Sequence, residues 1–261
     1  MLSYDDSISQ FVEKNLIAYI GNKRRLIDLI YDAIKSCGFD PENKKFTFLD
    51  VFAGTGVVSR LAKALGFRVV TNDWEYYSYI INKFYIEMQE HEVDEIFEGK
   101  FEQIISSLNM LKSPKQEYIA KFYCPSDDNN PDTNNERMFY SRKNGLIIDA
   151  VREKIDELYP ENENKTTEKK RAALIALLLY EAATRANTSG VFKGFHKGFG
   201  GSGKDALTRI LKTISLEKPV LISNKYKNKV YKKDALKLVN KFKKIKFDIA
   251  YLDPPYNQHQ Y

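Results

Sequence analysis

The sequence contains few residues that form disulfides or bind metals. Its 261 residues include two cysteines, Cys37 and Cys124, and three histidines, His91, His196 and His259. Two cysteines so far apart do not indicate a disulfide framework, so we expect a reduced, cytoplasmic setting of the bacterial type. Because these residues do not show the spacing of zinc ligands, no metal site is predicted.

Long apolar runs are also missing from the sequence. The longest, residues 172–180, falls well short of the roughly 18 apolar residues that a membrane-spanning helix needs. The N-terminal stretch MLSYDDSISQ is acidic and polar, unlike a signal peptide. We therefore expect no membrane association, while a hydrophobic fraction of 43% is ample for the core of one large domain or two.

Positive charge is concentrated in one part of the chain. Residues 204–247 contain 14 lysines and arginines against three acidic residues, whereas the remainder of the chain carries a net negative charge. Such a block indicates a polyanionic partner. It is equally compatible with a solvated face that carries helix-terminal lysines.

The N-terminal third predicts a βαβ unit. Residues 46–52 (FTFLDVF) form a short continuous apolar run, which is typical of a buried parallel strand. A glycine turn at 53–56, a helical pattern over 57–65 and a second strand over 67–71 follow. This order of elements predicts an α/β fold with a parallel sheet.

The rest of the chain is predicted to be mainly helical, with a weakly structured segment over residues 1–18. Helical patterns cover residues 26–36, 76–99, 168–186, 205–214 and 235–242. Strand patterns cover 218–223, 230–231 and 247–252. Residues 187–203 hold six glycines with interleaved aromatic and basic residues, which predicts a mobile loop.

The glycine turn predicts a nucleotide site. Gly54 and Gly56 allow a ligand to approach the backbone, and the helix that follows offers unpaired N–H groups. The turn lacks the third glycine of the dinucleotide fingerprint. Asp73, 23 residues after Asp50, ends the next strand, where a carboxylate accepts ribose hydroxyls in βαβ nucleotide folds. Asp73 is also suited to cap a helix.

The motif Asp253-Pro254-Pro255-Tyr256 ends the last predicted strand. Its prolines have no N–H group and fix φ, so they end the strand and leave a backbone carbonyl without an intrastrand partner. This carbonyl and the Asp253 carboxylate suit an exocyclic amine with two N–H donors, and Tyr256 offers a flat surface to the ring that bears the amine. The alternative interpretation is a strand that ends in a polar turn.

In their order along the chain, these motifs resemble those of a known enzyme family. Tyr19 to Lys23, Phe52 to Gly56, a long intervening stretch and Asp253 to Tyr256 are similar to the motifs of Dam-like, alpha-group N6-adenine DNA methyltransferases of type II restriction–modification systems. The resemblance implies a site-specific enzyme that transfers a methyl group from S-adenosylmethionine to N6 of an adenine flipped out of duplex DNA.

The same resemblance implies the roles of individual residues. Asp253 to Tyr256 would be catalytic, with Asp253 holding the target N6 and Tyr256 stacking on the base. Asp234 matches a position that contacts the adenine of the cofactor, or it is a simple helix N-cap. The implied cofactor-binding residues are Tyr19, Gly21, Lys23, Asp50, Phe52, Ala53, Gly54, Thr55, Gly56, Asp73, Asp234, Ala235 and Asp253.

The implied organisation is a Rossmann-like methyltransferase sheet that carries an inserted, mainly helical recognition domain. Residues 1–84 and 204–261 would form the catalytic domain, and residues 85–203 the recognition domain. The implied partners are double-stranded DNA and a cognate restriction endonuclease. The candidate DNA contacts, each of which is alternatively a surface loop residue, are Arg185, Asn187, Lys193, His196 and Lys197.

The sequence departs from the family after Tyr256, where three further strands normally follow but only five residues remain. We therefore expect a truncated chain whose last strand is an exposed edge. Such a chain is expected to be weak or inactive unless another polypeptide supplies the missing strands. The alternatives are a non-catalytic DNA-binding fragment, or half of a split methyltransferase. A methyltransferase that acts on RNA or on a protein amide is a third possibility, and the aspartate of the motif argues against the protein substrate.

Overall fold

The computed structural model describes residues 6–17, 23–38, 44–189, 194–201, 203–243 and 245–255. The chain divides into two compact units. The sheet unit comprises Met1–Leu16, Gly21–Ile96 and Pro219–Tyr261, and the helical unit comprises Ile17–Ile20 and Phe97–Lys218.

The described strands form one parallel sheet in the order β3-β2-β1-β4. They are β1 (Thr47–Asp50), β2 (Arg68–Asp73), β3 (Lys229–Lys232) and β4 (Ile249–Tyr251). Asp50 lies opposite Thr71 on one side and Tyr251 on the other, and Asp73 lies opposite Lys232. Because all strands run in the same direction, the loops that follow them meet at one edge of the sheet.

The described helices alternate with these strands or form the helical unit. They are α1 (Asp6–Glu13), a 3₁₀ turn (Lys23–Leu26), α2 (Ile27–Ser36), α3 (Val57–Ala64), α4 (Tyr76–Asn82), a π-helical segment (Lys83–Glu87), α5 (Glu90–Ile96), α6 (Phe101–Asn109), α7 (Ile119–Tyr123), α8 (Arg142–Leu158), α9 (Lys165–Arg185), α10 (Leu207–Leu211) and α11 (Ala235–Phe242). None of the helices in the described ranges is long and apolar enough to cross a membrane.

Apolar residues of the strands form the core beneath the glycine turn. Leu49 and Val70 pack with Leu238 and Phe242, which lie on the buried side of α11. The strand residues alternate with neighbours that face the opposite side of the sheet, so both faces of β1 are buried. The central strands thus present their carboxyl ends from a rigid base.

The expectation of a weakly structured N-terminal segment is wrong for residues 6–17, which include helix α1. Phe11 of this helix is fully buried. Arg60 of α3, itself buried, donates hydrogen bonds from Nη1 to the carbonyl oxygens of Phe11 (3.2 Å) and Lys14 (2.9 Å). These bonds satisfy carbonyl groups at the end of α1 that have no partner within the helix. Because the donor is remote in sequence, the local pattern of residues 6–17 does not predict this stabilisation.

The strand expected over residues 218–223 is also wrong, because these residues are described and contain no strand. The segment is tied instead to the start of α5. The Ser223 Oγ accepts a hydrogen bond from the backbone N–H of Glu90 (3.1 Å), and the N–H of Asn224 donates to the Gln89 side chain (2.9 Å). Side chains therefore satisfy polar groups that a sheet partner would otherwise bind.

The chain passes from the sheet unit to the helical unit after residue 96 and returns to the sheet unit after residue 218, whereas the sequence predicted these boundaries after residues 84 and 203. Residues after 84 remain in the sheet unit because the buried Lys63 donates to the carbonyl oxygens of Tyr85 (3.0 Å) and Met88 (2.6 Å). Residues after 203 join the helical unit because the Asn144 side chain bonds to the backbone of Ile210 (3.1 Å) and Ile214 (3.0 Å).

Candidate active site

The predicted site residues that the structure describes lie mostly where the four strands end. The glycine turn follows β1, Asp73 ends β2, Asp234 follows β3 after one residue, and Asp253 lies two residues past β4. The backbone N–H of Val51 donates to the carbonyl of Tyr251 (3.3 Å), so the β1 and β4 ends are joined directly. The fold therefore brings the glycine turn and Asp253 to the same edge of the sheet.

The β2 strand and helix α4 hold the glycine turn in place. The N–H of Gly54 donates to Oδ2 of Asp73 (2.7 Å), and the carbonyl of Gly54 accepts from Ser78 Oγ and Asn82 Nδ2. Gly56 has a φ of +81°, and a Cβ built on it would overlap Oδ1 of Asn82. The turn is thus fixed from both sides, and it requires glycine at position 56.

Asp73 organises the turn rather than simply capping a helix. Its Oδ2 binds the Gly54 N–H, and its Oδ1 accepts a hydrogen bond from the N–H of Glu75 (2.9 Å) at the start of α4. Each carboxylate oxygen can accept more than one hydrogen bond, so these contacts leave capacity for ribose hydroxyls.

Lys23 and Asp253 form an ion pair between the N-terminal lysine motif and the D-P-P-Y motif. Their side chains are 16% and 26% exposed, respectively. Lys23 begins the 3₁₀ turn before α2, and Asp253 extends from the end of β4. Packing within the sheet unit thus joins two residues that lie 230 positions apart in sequence.

Asp50 is the most deeply buried carboxyl group of the site. Its side chain accepts a hydrogen bond from Ser59 Oγ on α3 (2.7 Å), while its Oδ1 has no hydrogen-bond partner among the described residues. Burial raises the pKa of Asp50 to about 7. Hydrogen bonds from Ser59 and from the Phe52 backbone oppose this rise, and the charges of Asp73 and Asp253 add to it.

Asp234 is the N-cap of α11. Its Oδ1 accepts a hydrogen bond from the backbone N–H of Lys237 (3.0 Å). This geometry is the helix-capping alternative that the sequence left open, and the cofactor contact of Asp234 stays a prediction. Phe52 and Ala235, also predicted to line the cofactor, are partly buried against the core beneath the turn.

Sequence reasoning missed the polar residues that support the site from below. Asn72 donates to the carbonyls of Val51 (3.1 Å) and Lys233 (3.0 Å) and accepts from the Lys233 N–H (3.0 Å), which joins β2 to the loops after β1 and β3. Ser78 and Asn82 hold the turn in the same way. The sequence signal was a buried-strand pattern that ends in adjacent polar residues, Asn72 and Asp73.

The residues predicted to contact DNA differ in accessibility. Arg185 is buried and paired with Glu181 (2.9 Å). Asn187 is fully buried, and its side chain binds the backbone of the surrounding loop, so both side chains hold structure in this state instead of facing solvent. His196 and Lys197 are exposed. Tyr19, Gly21, Lys193 and Tyr256 lie outside the described residues.

Fold and site together define an α/β protein whose parallel sheet gathers a glycine turn and three aspartates at its carboxyl edge, one of them next to two prolines. The chain belongs to the D12 class N6 adenine-specific DNA methyltransferase family, whose model matches residues 19–261. The family and the fold class expected from the motifs are thereby confirmed.

Curated relatives of the chain are named as type II methyltransferases or modification methylases. The type II methyltransferase M.NlaIII of Neisseria lactamica is 35% identical over 248 residues, which cover 93% of this chain and 65% of the relative. The modification methylase LlaI of Lactococcus lactis subsp. lactis and the type II methyltransferase M.FokI of Planomicrobium okeanokoites are each 31% identical over 93% of this chain. This chain spans 36% and 35% of their lengths, respectively. No solved structure matches the chain at a significant level.

Proposed function

We propose that the chain carries out site-specific methylation of adenine N6 in double-stranded DNA, with S-adenosylmethionine as the methyl donor. The observation that carries this proposal is the meeting of the glycine turn and Asp253 at adjacent strand ends, β1 and β4, of one parallel sheet. A donor held by the turn and an amine held by Asp253 would then lie side by side, as direct transfer between them requires.

Two features of the site fit this cofactor. Gly54 and Gly56 carry no side chain that would separate the backbone of the turn from a ligand, and Oδ1 of Asn82 occupies the position that a Cβ of residue 56 would take. The Oδ1 atom of buried Asp50 lacks a hydrogen-bond partner among the described residues, which suits a cationic ligand. S-adenosylmethionine supplies a methyl group activated by a positively charged sulfur. We propose that it is held by the predicted cofactor residues of the turn together with Asp73, Asp234 and Lys23.

The proposed role of Asp253 is to activate the target amine. The N6 lone pair of adenine is delocalised into the ring, which makes the amine a poor nucleophile. The Asp253 carboxylate and a neighbouring backbone carbonyl accept its two N–H groups, which favours a more tetrahedral nitrogen and stabilises the charge that develops on it. Pro254 and Pro255 have no N–H group to compete for these acceptors. The proton leaves after transfer, so Asp253 need not be a strong base.

The experiment that tests this function measures N6-methyladenine directly. Duplex DNA is incubated with the chain and labelled S-adenosylmethionine, then digested to nucleosides for mass spectrometry, and a plasmid treated in parallel is challenged with methylation-sensitive nucleases. Label in N6-methyladenine that depends on the chain supports the proposal. Transfer to RNA in preference to duplex DNA contradicts it.

We propose that the helical unit provides target recognition, although Arg185 and Asn187 are buried. His196 and Lys197 are exposed on the glycine-rich loop. Every described lysine and arginine between residues 204 and 247 is also exposed, which supports contact with a polyanion. The relatives named as type II methyltransferases make a cognate restriction endonuclease a proposed partner.

The double substitution His196→Ala/Lys197→Ala should weaken DNA binding through lost phosphate contacts. We expect a loss of roughly threefold to tenfold at low salt and a salt dependence that is shallower by about one counterion. Fluorescence anisotropy with labelled duplex over a series of salt concentrations measures both. Lys112→Ala, at an exposed lysine of the same unit, is the matched control. Equal losses of DNA affinity in the double variant and the control would show that His196 and Lys197 make no specific contact with DNA.

Lys23→Met tests the ion pair with Asp253. Because the pair is partly exposed, we expect stability to fall by only about 1 kcal/mol. Methyl transfer should fall at least tenfold in kcat, because the Asp253 carboxylate loses the charge that holds it in position. Lys35→Met, at an exposed position of α2, should leave both unchanged. If Lys23→Met keeps the full kcat, Lys23 has no role in the proposed site.

A second candidate is a non-catalytic or split form of the enzyme, in which a complementing chain pairs with β4. One observation favours it: Ala250 and Leu252 beside the motif are exposed, Leu252 by 64%. Cofactor and DNA binding without measurable turnover, followed by turnover when the remaining part of a relative is added, would support it.

A further inference from the structure

Three carboxyl groups meet at the carboxyl edge of the sheet, and Asp50 differs from the other two. Asp73 accepts backbone N–H groups at both oxygens, and Asp253 pairs with Lys23. Asp50 is 1% exposed, and Ser59 satisfies only one of its oxygens. Its Oδ1 has no partner among the described residues.

Such an arrangement is unfavourable for an ionised Asp50. A buried carboxylate with an unsatisfied oxygen loses more hydration energy than the hydrogen bonds from Ser59 and the Phe52 backbone restore, and nearby negative charges add to the penalty. The free energy falls if the carboxyl group keeps its proton, or if a positive charge enters the site. The site is therefore stable either with a proton on Asp50 or with a bound positive charge beside an ionised Asp50.

We propose that Asp50 is the acceptor of positive charge in the cofactor site: it is protonated in the free protein, and it ionises when a cationic methyl donor binds. On binding, the carboxyl O–H bond breaks, the proton passes to solvent, and the donor's charge takes its place. This inference rests on the proposed function. It adds a basis for selectivity, because the donor has a positively charged sulfur whereas the S-adenosylhomocysteine left after transfer has a neutral thioether.

The groups around Asp50 are consistent with this exchange. Asp73 faces it from β2, and Tyr251 and Asp253 face it from β4 and the loop that follows. Burial raises the pKa of Tyr251 to about 12, so this residue is neutral near pH 7. The group that faces Asp50 from α3 is the neutral Ser59. Lys23, the cation paired with Asp253, only partly offsets the two carboxylates.

Calorimetry with the full chain tests the proposal. S-adenosylmethionine is titrated into the protein at pH 6, 7 and 8 in buffers of different ionisation enthalpy, which gives the number of protons released. With a pKa of about 7 for Asp50, roughly half a proton should be released at pH 7. The affinity should rise about tenfold from pH 6 to pH 8, because only the ionised fraction binds. S-adenosylhomocysteine should show less than about half of this proton release.

Asp50→Asn is the decisive variant, because asparagine can still accept the Ser59 hydrogen bond but cannot ionise. We expect it to bind the donor at least tenfold more weakly at pH 8, without the linked proton and with a flat pH profile. Asp32→Asn, at an exposed position of α2, is the control. Lys63 also titrates in this range, since burial lowers its pKa to about 7, but its contribution is common to both proteins and cancels in the comparison.

Thermal unfolding provides a readout that does not depend on the cofactor. Because the folded pKa of Asp50 is raised, its protonation stabilises the native state at low pH, and this stabilisation is lost as the pH rises through about 7. The melting temperature of Asp50→Asn, relative to the unchanged protein, should therefore increase from pH 5 to pH 8.

The outcomes separate this inference from the proposed function. Donor binding without proton release, or the same release in Asp50→Asn, overturns the role of Asp50 and leaves the methyltransferase proposal intact. Equal release with S-adenosylhomocysteine overturns the link to the sulfonium charge. No binding of either ligand contradicts the proposed function itself. If Asp50→Asn does not fold, the proton release of the unchanged protein decides the question.

Discussion

Asp253→Ala is expected to lower the rate of methyl transfer to duplex DNA at least about 100-fold, because it removes an acceptor that stabilises developing charge on the target amine. DNA affinity should change little, since the helical unit is the proposed recognition element. Stability should fall by only about 1–2 kcal/mol, because the pair with Lys23 is partly exposed. Single-turnover assays with labelled donor measure the chemical step directly.

Two further variants test whether the loss of rate in Asp253→Ala comes from the lost carboxylate. Asp253→Asn retains the size of the side chain but carries no charge and has one acceptor oxygen, so it should recover only a small part of the rate. Asp32→Ala, at an exposed aspartate of α2, should behave like the unchanged protein. If Asp253→Ala still methylates N6 at the normal rate, the carboxylate has no part in the chemistry.

Gly56→Ala is expected to have the second large effect, because it combines backbone strain with a steric overlap. Gly56 has a φ of +81°, where an alanine costs about 1–2 kcal/mol. The added Cβ would overlap Oδ1 of Asn82, whose movement would release the carbonyl of Gly54. We expect a loss of about 2–4 kcal/mol in stability and at least a tenfold loss in donor affinity, measured by chemical denaturation and calorimetry.

Gly38→Ala is the matched control, because it introduces the backbone strain of a positive φ without a steric overlap. Gly38 has a φ of +73°, but a Cβ built there meets nothing within 4 Å. It should lose about 1–2 kcal/mol in stability and bind the donor normally. Should both variants lose the same amount of donor affinity, the contact between Gly56 and Asn82 would have no role in shaping the turn.

The regular elements of the sheet unit were predicted well from local pattern. The apolar run before the turn became β1, and the amphipathic pattern near the C-terminal end became α11. Both patterns report burial of one element against its neighbours, which short-range spacing encodes. The motifs placed between such elements were therefore assigned to the correct strand ends.

The failures share a different cause. Helix α1 depends on buried Arg60, 49 residues beyond Phe11 in sequence. Arg185 and Asn187 were predicted to contact DNA, or alternatively to be surface loop residues, yet both are buried, Arg185 in an ion pair with Glu181 and Asn187 among loop hydrogen bonds. Residue type predicts the average environment of a polar side chain, whereas a specific partner decides its actual one.

The sequence by itself determined the family, the order of the motifs and the strand–turn–helix elements that carry them, because these depend on neighbouring residues. Only the tertiary structure decided that Lys23 pairs with Asp253, that Asn82 supports the glycine turn, and that Asp50 keeps an oxygen without a partner. Distances and burial at these positions are set by the packing of segments remote in sequence, and this packing sets the electrostatic environment of the site's carboxyl groups.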